Sequence, residues 1–194
     1  MTKSSTISKH KGLLGNYPSK IYDPVWRISN LYSIVDKNGD KIPFQPNKIQ
    51  TKILQEPRPR KIILKARQFG VSTVGLIELL DFVLHRPNSV ACIIAHEQDA
   101  IKKLFRVCRR AYDFLPEILK PSLDRGEGSK YEMYFPRINS RIYCDLESRG
   151  ETIHRLHVSE GAFIKDPDKL RATIQSVPLL TGKVTIETTP NGMG

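Results

Sequence analysis

The stretch Leu64 to Thr73, LKARQFGVST, holds residue types suited to a phosphate anion. A phosphate-binding loop sets a glycine, four residues, then Gly-Lys-Ser/Thr between a strand and a helix, so that backbone N–H groups and the helix dipole meet the anion. Gly70 and Ser72 are in place, whereas Val71 stands where the lysine belongs and Lys65 where the first glycine belongs. Gly70 permits the tight turn. Ser72 has the hydroxyl and the position to ligate Mg²⁺, with Thr73 as a neighbour able to substitute. The missing positive charge comes from Lys65 or Arg67. An ordinary strand-to-helix connection accounts for the same letters.

Two later segments end in complementary chemistry. IHRLHVSE closes on Ser159-Glu160, where an enzyme with a phosphate-binding loop usually carries an acid that holds Mg²⁺ through water and then a glutamate that activates the attacking water. Glu160 has the chemistry of that general base; Ser159 can contact metal-bound water but brings no charge. KVTIETTPNG ends in Thr188, Thr189, Pro190, Asn191 and Gly192, short groups suited to sensing a γ-phosphate. A bare turn needs only the Pro-Asn-Gly.

These residues require strand ends to present them, and the pattern supplies strands. KIILKA is a short apolar run before the loop, and STVGLIELLDFVLH after it is apolar on most of its circumference, which predicts a buried helix. SVACIIA, RIYCDL, IHRLHV and KVTIET predict further strands; EQDAIKKLFRVCRRAYDFL predicts an amphipathic helix, and residues 166 to 175 a short one. Alternation of apolar strands with helices implies a mainly parallel α/β sheet covered on both faces, with ligands at the carboxyl ends of its strands. Residues 1 to 20 read as a flexible arm. Residues 25 to 44 carry an Asn-Gly pair between two β-prone stretches, which predicts a hairpin. The chain therefore divides into an arm (1–20), a lid segment (21–60) and a core (61–194).

Composition narrows the partners. The 194 residues carry a formal net charge of +11, which suits either a polyanion, through counterion release, or a solvated basic surface. Lys102, Lys103, Arg106, Arg109 and Arg110 make one basic helix face, able to contact duplex phosphates without reading bases. Three widely spaced cysteines, Cys92, Cys108 and Cys144, imply reduced thiols in a cytoplasm. His10, His85, His96, His154 and His157 read as core or surface histidines and no metal site. No apolar run suggests a targeting or membrane segment.

Taken in order, KARQFGVST, HVSEGAF and ETTPNG resemble the ATPase domain of the large terminase subunit of tailed double-stranded DNA bacteriophages, over about residues 25 to 194. FQPNKIQ, residues 44 to 50, is similar to the adenine-reading Q motif of superfamily 2 helicases, with a proline followed four residues later by Gln50. The resemblance implies a RecA-like, ASCE-type P-loop NTPase fold with an N-terminal arm and hairpin, using ATP and Mg²⁺. It places the nucleotide against Gln50 and against Lys65, Arg67, Gln68, Phe69, Gly70, Val71, Ser72 and Thr73. Glu160 would orient water, Thr188 and Thr189 would couple the γ-phosphate to movement, and Ser72 and Ser159 would serve the metal. Arg149 would be an arginine finger acting on a neighbouring subunit, or else form an intramolecular salt bridge. The implied partners are double-stranded DNA, a portal protein, a small terminase subunit and further copies in a ring, with no membrane, in the cytoplasm of an infected bacterium. The chain would be an ATPase-domain fragment that does not cut DNA. The displaced lysine and Ser159 depart from the family pattern. Two other readings stay open: a superfamily 2 helicase or translocase fragment, which shares the adenine-reading glutamine and the sheet but more usually shows a lysine after the loop glycine and an Asp-Glu pair, and a non-catalytic DNA- or capsid-binding module, which the two departures favour.

Overall fold

Asp23-Pro24 starts a helix, although the residues after it favour strand. The structure, a computed structural model, describes residues 19–66, 69–124, 130–148 and 150–190; the arm up to residue 18 lies outside them. Asp23 caps helix α1 (Pro24–Asn30) by accepting from the Val25 N–H, and Pro24 at the first turn needs no N–H partner. The hairpin expected over 25 to 44 is therefore confined to β1 (Ser33–Val35) and β2 (Lys41–Pro43), joined through the Asn38-Gly39 turn. Local capping overrides composition in the first half of that stretch. Helix α2 (Lys48–Gln55) follows, opened by a reciprocal capping box between Asn47 and Gln50.

The remaining strands form one six-stranded sheet: β3 (Arg60–Leu64), β4 (Val90–Ile94), β5 (Glu132–Phe135), β6 (Ser140–Asp145), β7 (Arg155–Ser159) and β8 (Lys183–Thr188). Their spatial order is β3-β8-β7-β4-β6-β5, and every pairing is parallel except β5 with β6. Helices α3 (Val71–His85) and α4 (Gln98–Asp113) follow β3 and β4, and α5 (Pro167–Gln175), capped by Asp166, precedes β8.

The two-residue period of the strands decides which side chain serves which face. On β4, Ala91 and Ile93 join the core beneath α3 and α4, while Cys92 and Ile94 join a second core with Leu170 and Ile174 of α5. On β7 and β8 the second core receives Leu156, Val158 and Val184. His157, Ser159, Thr185 and Glu187 take the alternate positions on the same strands, and all four are buried. On edge strand β3, Ile62 and Leu64 are 76% and 70% exposed, whereas the alternate Lys61 and Ile63 are half-buried.

The N-terminal segment is fastened to α3 by a buried charge pair. Arg27 donates through Nε and Nη2 to both carboxylate oxygens of Asp81 at 2.9 and 2.7 Å, and through Nη1 to the Ile21 carbonyl. Tyr32 adds a hydrogen bond to the same carboxylate. Ile28, Tyr32, Phe44 and Leu54 share one hydrophobic cluster with α3, so residues 21–60 pack on the core rather than beside it. All three cysteines are buried outside any disulfide, and burial pushes the Cys108 thiol up to about 12. Among the described residues no helix is long and apolar enough to cross a membrane.

Removing one partner of the Arg27–Asp81 pair strands a buried charge. Arg27→Ala or Asp81→Ala should therefore cost about 3–5 kcal/mol in urea unfolding, and Arg27→Met with Asp81→Leu together clearly less than the sum. The cysteines should resist a thiol-reactive chromophore at neutral pH and react only once urea unfolds the chain, because all three thiols are buried out of the reagent's reach.

Candidate active site

The loop after β3 is shaped by Gly70, which caps α3 in the left-handed region at φ +67°. Gln50 Nε2 donates to the Gly70 carbonyl at 2.9 Å, while its Oε1 accepts from the Asn47 N–H. Gln50 thus caps its own helix and holds the loop, and is buried in doing so. A Cβ on Gly70 would stand 2.6 Å from Gln50 Nε2. Val71 is buried, Ser72 and Thr73 are half-buried in the first turn of α3, and Phe69 is 43% exposed. No side chain caps that turn, and the first-turn N–H groups of a helix favour an anion. Arg67 and Gln68, and Arg149 with them, lie outside the described residues, as do Asn191 and Gly192.

Three strand ends meet at Lys65. Its backbone N–H donates to the Thr188 carbonyl at 3.0 Å, which continues the β3–β8 ladder. Its ammonium lies 2.9 Å from Glu160 Oε1 and 3.6 Å from Glu187 Oε2, with the side chain only 9% exposed. The other oxygen of Glu160 accepts from both the backbone N–H and the hydroxyl of Thr189, at 3.0 and 2.9 Å. Thr188 accepts from the Ala162 N–H and donates to the Thr189 carbonyl, closing the turn behind Glu160.

Glu160 has φ 54° and ψ 52°, a left-handed conformation for a residue with a side chain. Such strain costs on the order of 1–3 kcal/mol and persists where the surroundings enforce it. Here the Phe163 N–H holds the Glu160 carbonyl and Thr189 holds the carboxylate. The twist carries the carboxylate past the strand end to Lys65. Partial burial raises the Glu160 pKa, but the hydrogen bonds from Lys65 and Thr189 outweigh it and leave the group below its ordinary value, hence ionised at neutral pH.

Two residues that sequence reasoning passed over complete the cluster. Glu187 is wholly buried, and its Oε1 accepts from Ser159 Oγ at 3.0 Å and faces His157 Nε2 at 3.4 Å. Burial raises its pKa, yet His157, the nearby Ser72 hydroxyl and Lys65 bring it down to about 2. His157, expected as an ordinary histidine, supports α3: a Cβ on Gly75 would lie 2.5 Å from its ring. The strand period signals only that Glu187 shares a face of β8 with Thr185; the pairing with β7 sets it opposite Ser159 on the α3 side of the sheet.

Among the described residues no group of three or more His, Cys, Asp or Glu side chains could hold a metal alone. The Ser72 hydroxyl at the loop and the buried carboxylate beside it instead fit an ion that arrives with phosphate ligands, the usual manner for Mg²⁺. On the basic face of α4, Lys103, Arg106 and Arg110 are exposed, while Lys102 and Arg109 form ion pairs with Asp99 and Asp113.

No known family's sequence model matches the chain, and no curated protein does. Solved structures do. The ATPase domain of the Thermus phage P74-26 large terminase matches as a point mutant (TM-score 0.60, 20% identity, 78% of this chain and 68% of that one) and in a second structure (TM-score 0.56, 20% identity, 78% and 67%). The HK97 bacteriophage large terminase matches with TM-score 0.69 and 12% identity over 87% of this chain, which spans 37% of that longer one. Dbp5 of S. cerevisiae, solved with Gle1 and IP6, matches with TM-score 0.53 and 17% identity over 76% of this chain and 42% of that one. The chain therefore has the expected P-loop NTPase fold, a mainly parallel sheet between helices.

Gly70→Ala forces a side chain into both a left-handed backbone and the Gln50 amide. It should lower stability by at least about 1–2 kcal/mol in thermal unfolding.

Proposed function

We propose that the chain is the ATP-hydrolysing motor domain of a viral DNA-packaging large terminase, which drives double-stranded DNA into a procapsid. One observation carries the reading: the hydrogen-bonded path from Lys65 through Glu160 to Thr189, which joins three strand ends beside a glycine-capped helix N-terminus. A module that merely binds DNA or capsid has no use for a strained, ionised glutamate held in that place. The fold shared with phage terminase ATPase domains supports the same reading.

In this proposal the phosphates of ATP lie against the first-turn N–H groups of α3 and draw in the Lys65 ammonium, with Arg67 as a second cation. Ser72 would hold the Mg²⁺ that accompanies ATP, which would supply neutralisation of phosphate charge. An incoming phosphate competes with Glu160 for Lys65. Thr189 keeps its two hydrogen bonds to Glu160 Oε2, so the carboxylate stays oriented while Oε1 is released toward the hydrolytic water. Phosphoryl transfer is chiefly positioning and electrostatic stabilisation, which is the work these groups do. Thr188 and Thr189 then report the state of the γ-phosphate to β8. Gln50, already bound to Gly70, retains one N–H and one lone pair for an adenine edge and would tie base recognition to the loop. Arg149 is proposed as the finger supplied to a neighbouring subunit.

The wider partners belong to the same proposal. They are duplex DNA on the basic face of α4, a portal protein, a small terminase subunit and a homo-oligomeric ring, in the cytoplasm of an infected bacterium. No nuclease activity is assigned to this chain.

Mg²⁺-dependent ATP hydrolysis by the purified chain, measured over a range of protein concentrations, tests the reading. Glu160→Ala and Lys65→Ala should each lower turnover by about 100-fold or more while the fold survives. Turnover per subunit should rise with concentration and lose that rise in Arg149→Ala. Native turnover in Glu160→Ala would sink the motor assignment.

A further inference from the structure

Ser159 occupies the place where an acid would hold Mg²⁺ through water, and its hydroxyl has no charge to offer. The charge stands one strand away. β7 and β8 run parallel with Ser159 opposite Glu187, and their side chains share the α3 face. Adjacent strands lie about 4.8 Å apart, a gap that a glutamate spans and a serine does not. Glu187 does span it, since its Oε1 takes the Ser159 hydroxyl hydrogen at 3.0 Å.

The second oxygen is the telling one. Glu187 is 0% exposed, yet Oε2 has no partner at normal hydrogen-bond geometry among the described residues: the Lys65 ammonium stands off at 3.6 Å, and the Ser72 hydroxyl lies near the carboxylate. A buried carboxylate oxygen that lacks a close hydrogen bond costs free energy that a leucine at the same position would not. The atom lies at the joint between the loop lysine and Ser72, with its partner oxygen fixed by Ser159 and His157.

We infer that Glu187 supplies from β8 the negative charge that Ser159 lacks on β7, and that with Ser72 it holds the Mg²⁺ accompanying the nucleotide phosphates. The inference rests on the ATP-binding reading above. Ser159 is then a positioning residue, which orients the carboxylate that replaces it.

Calorimetric binding of a non-hydrolysable ATP analogue, in Mg²⁺ and in EDTA, separates the possibilities for the native chain, Glu187→Gln, and Glu187→Gln combined with Ser159→Asp. The native chain should bind more tightly in Mg²⁺. Glu187→Gln should lose roughly ten- to hundredfold of that gain, as removal of an outer-sphere metal partner does, the gain being read for each variant as the ratio of its own affinities in Mg²⁺ and in EDTA. The double variant, which moves the charge back to β7, should recover the gain. Full Mg²⁺ gain in Glu187→Gln, or loss without recovery in the double variant, overturns the role of Glu187 while leaving ATP binding intact. No analogue binding by the native chain in either buffer overturns the ATP reading itself. If thermal melting shows Glu187→Gln unfolded, the double variant decides alone: a Mg²⁺ gain supports the inference and its absence refutes it.

Discussion

A single ammonium held between two carboxylates organises this molecule. Lys65 lies 2.9 Å from Glu160 and 3.6 Å from Glu187, in a place where its side chain is 9% exposed. Charges so nearly removed from water are tolerated only when paired and hydrogen-bonded, and breaking such a pair costs several kcal/mol. The three groups come from three different strands, so the sheet order β3-β8-β7 is a requirement of the pairing as much as of the backbone ladder. The strained turn at Glu160 follows from the same constraint: a relaxed backbone would not deliver the carboxylate to the lysine.

The face on which this cluster lies is set by the strand period. Leu156, Val158 and Val184 fill one side of β7 and β8 with apolar volume, which leaves His157, Ser159, Thr185 and Glu187 to the other. That other side is covered by α3, the helix that opens at the Gly70 loop. Polar side chains under a helix would ordinarily destabilise it, but here they hydrogen-bond one another, and Gly75 lets the helix close down onto the His157 ring. Loop, helix and acid cluster are therefore one packed unit.

The N-terminal segment is tied to the same helix at both ends. Arg27 grips Asp81 near the carboxyl end of α3, and Gln50 grips Gly70 at its start. A segment that reads in sequence as a separate lid is thereby coupled to the loop it covers. Motion of α2 would be felt at Gly70, because the Gln50 amide bridges the two directly.

Much of this was legible in the letters. Alternating apolar strands and helices, the loop after KIIL, the Ser159-Glu160 strand end and the ETTPNG turn need only local periods and turn chemistry, and the sheet assembles as those imply. The first half of the expected hairpin was misread because an Asp-Pro cap outweighs β-prone composition over a single turn of helix. Gln50 was legible as a motif, whereas its bond to Gly70 was not. The sequence by itself determined the fold class and the chemical kinds of residue at three strand ends. Only the tertiary structure decided that β8 lies between β3 and β7, so that Glu187 faces Ser159, His157 and Lys65 at once. Strand order is a long-range choice made by packing on two faces, and no local pattern along the chain records it.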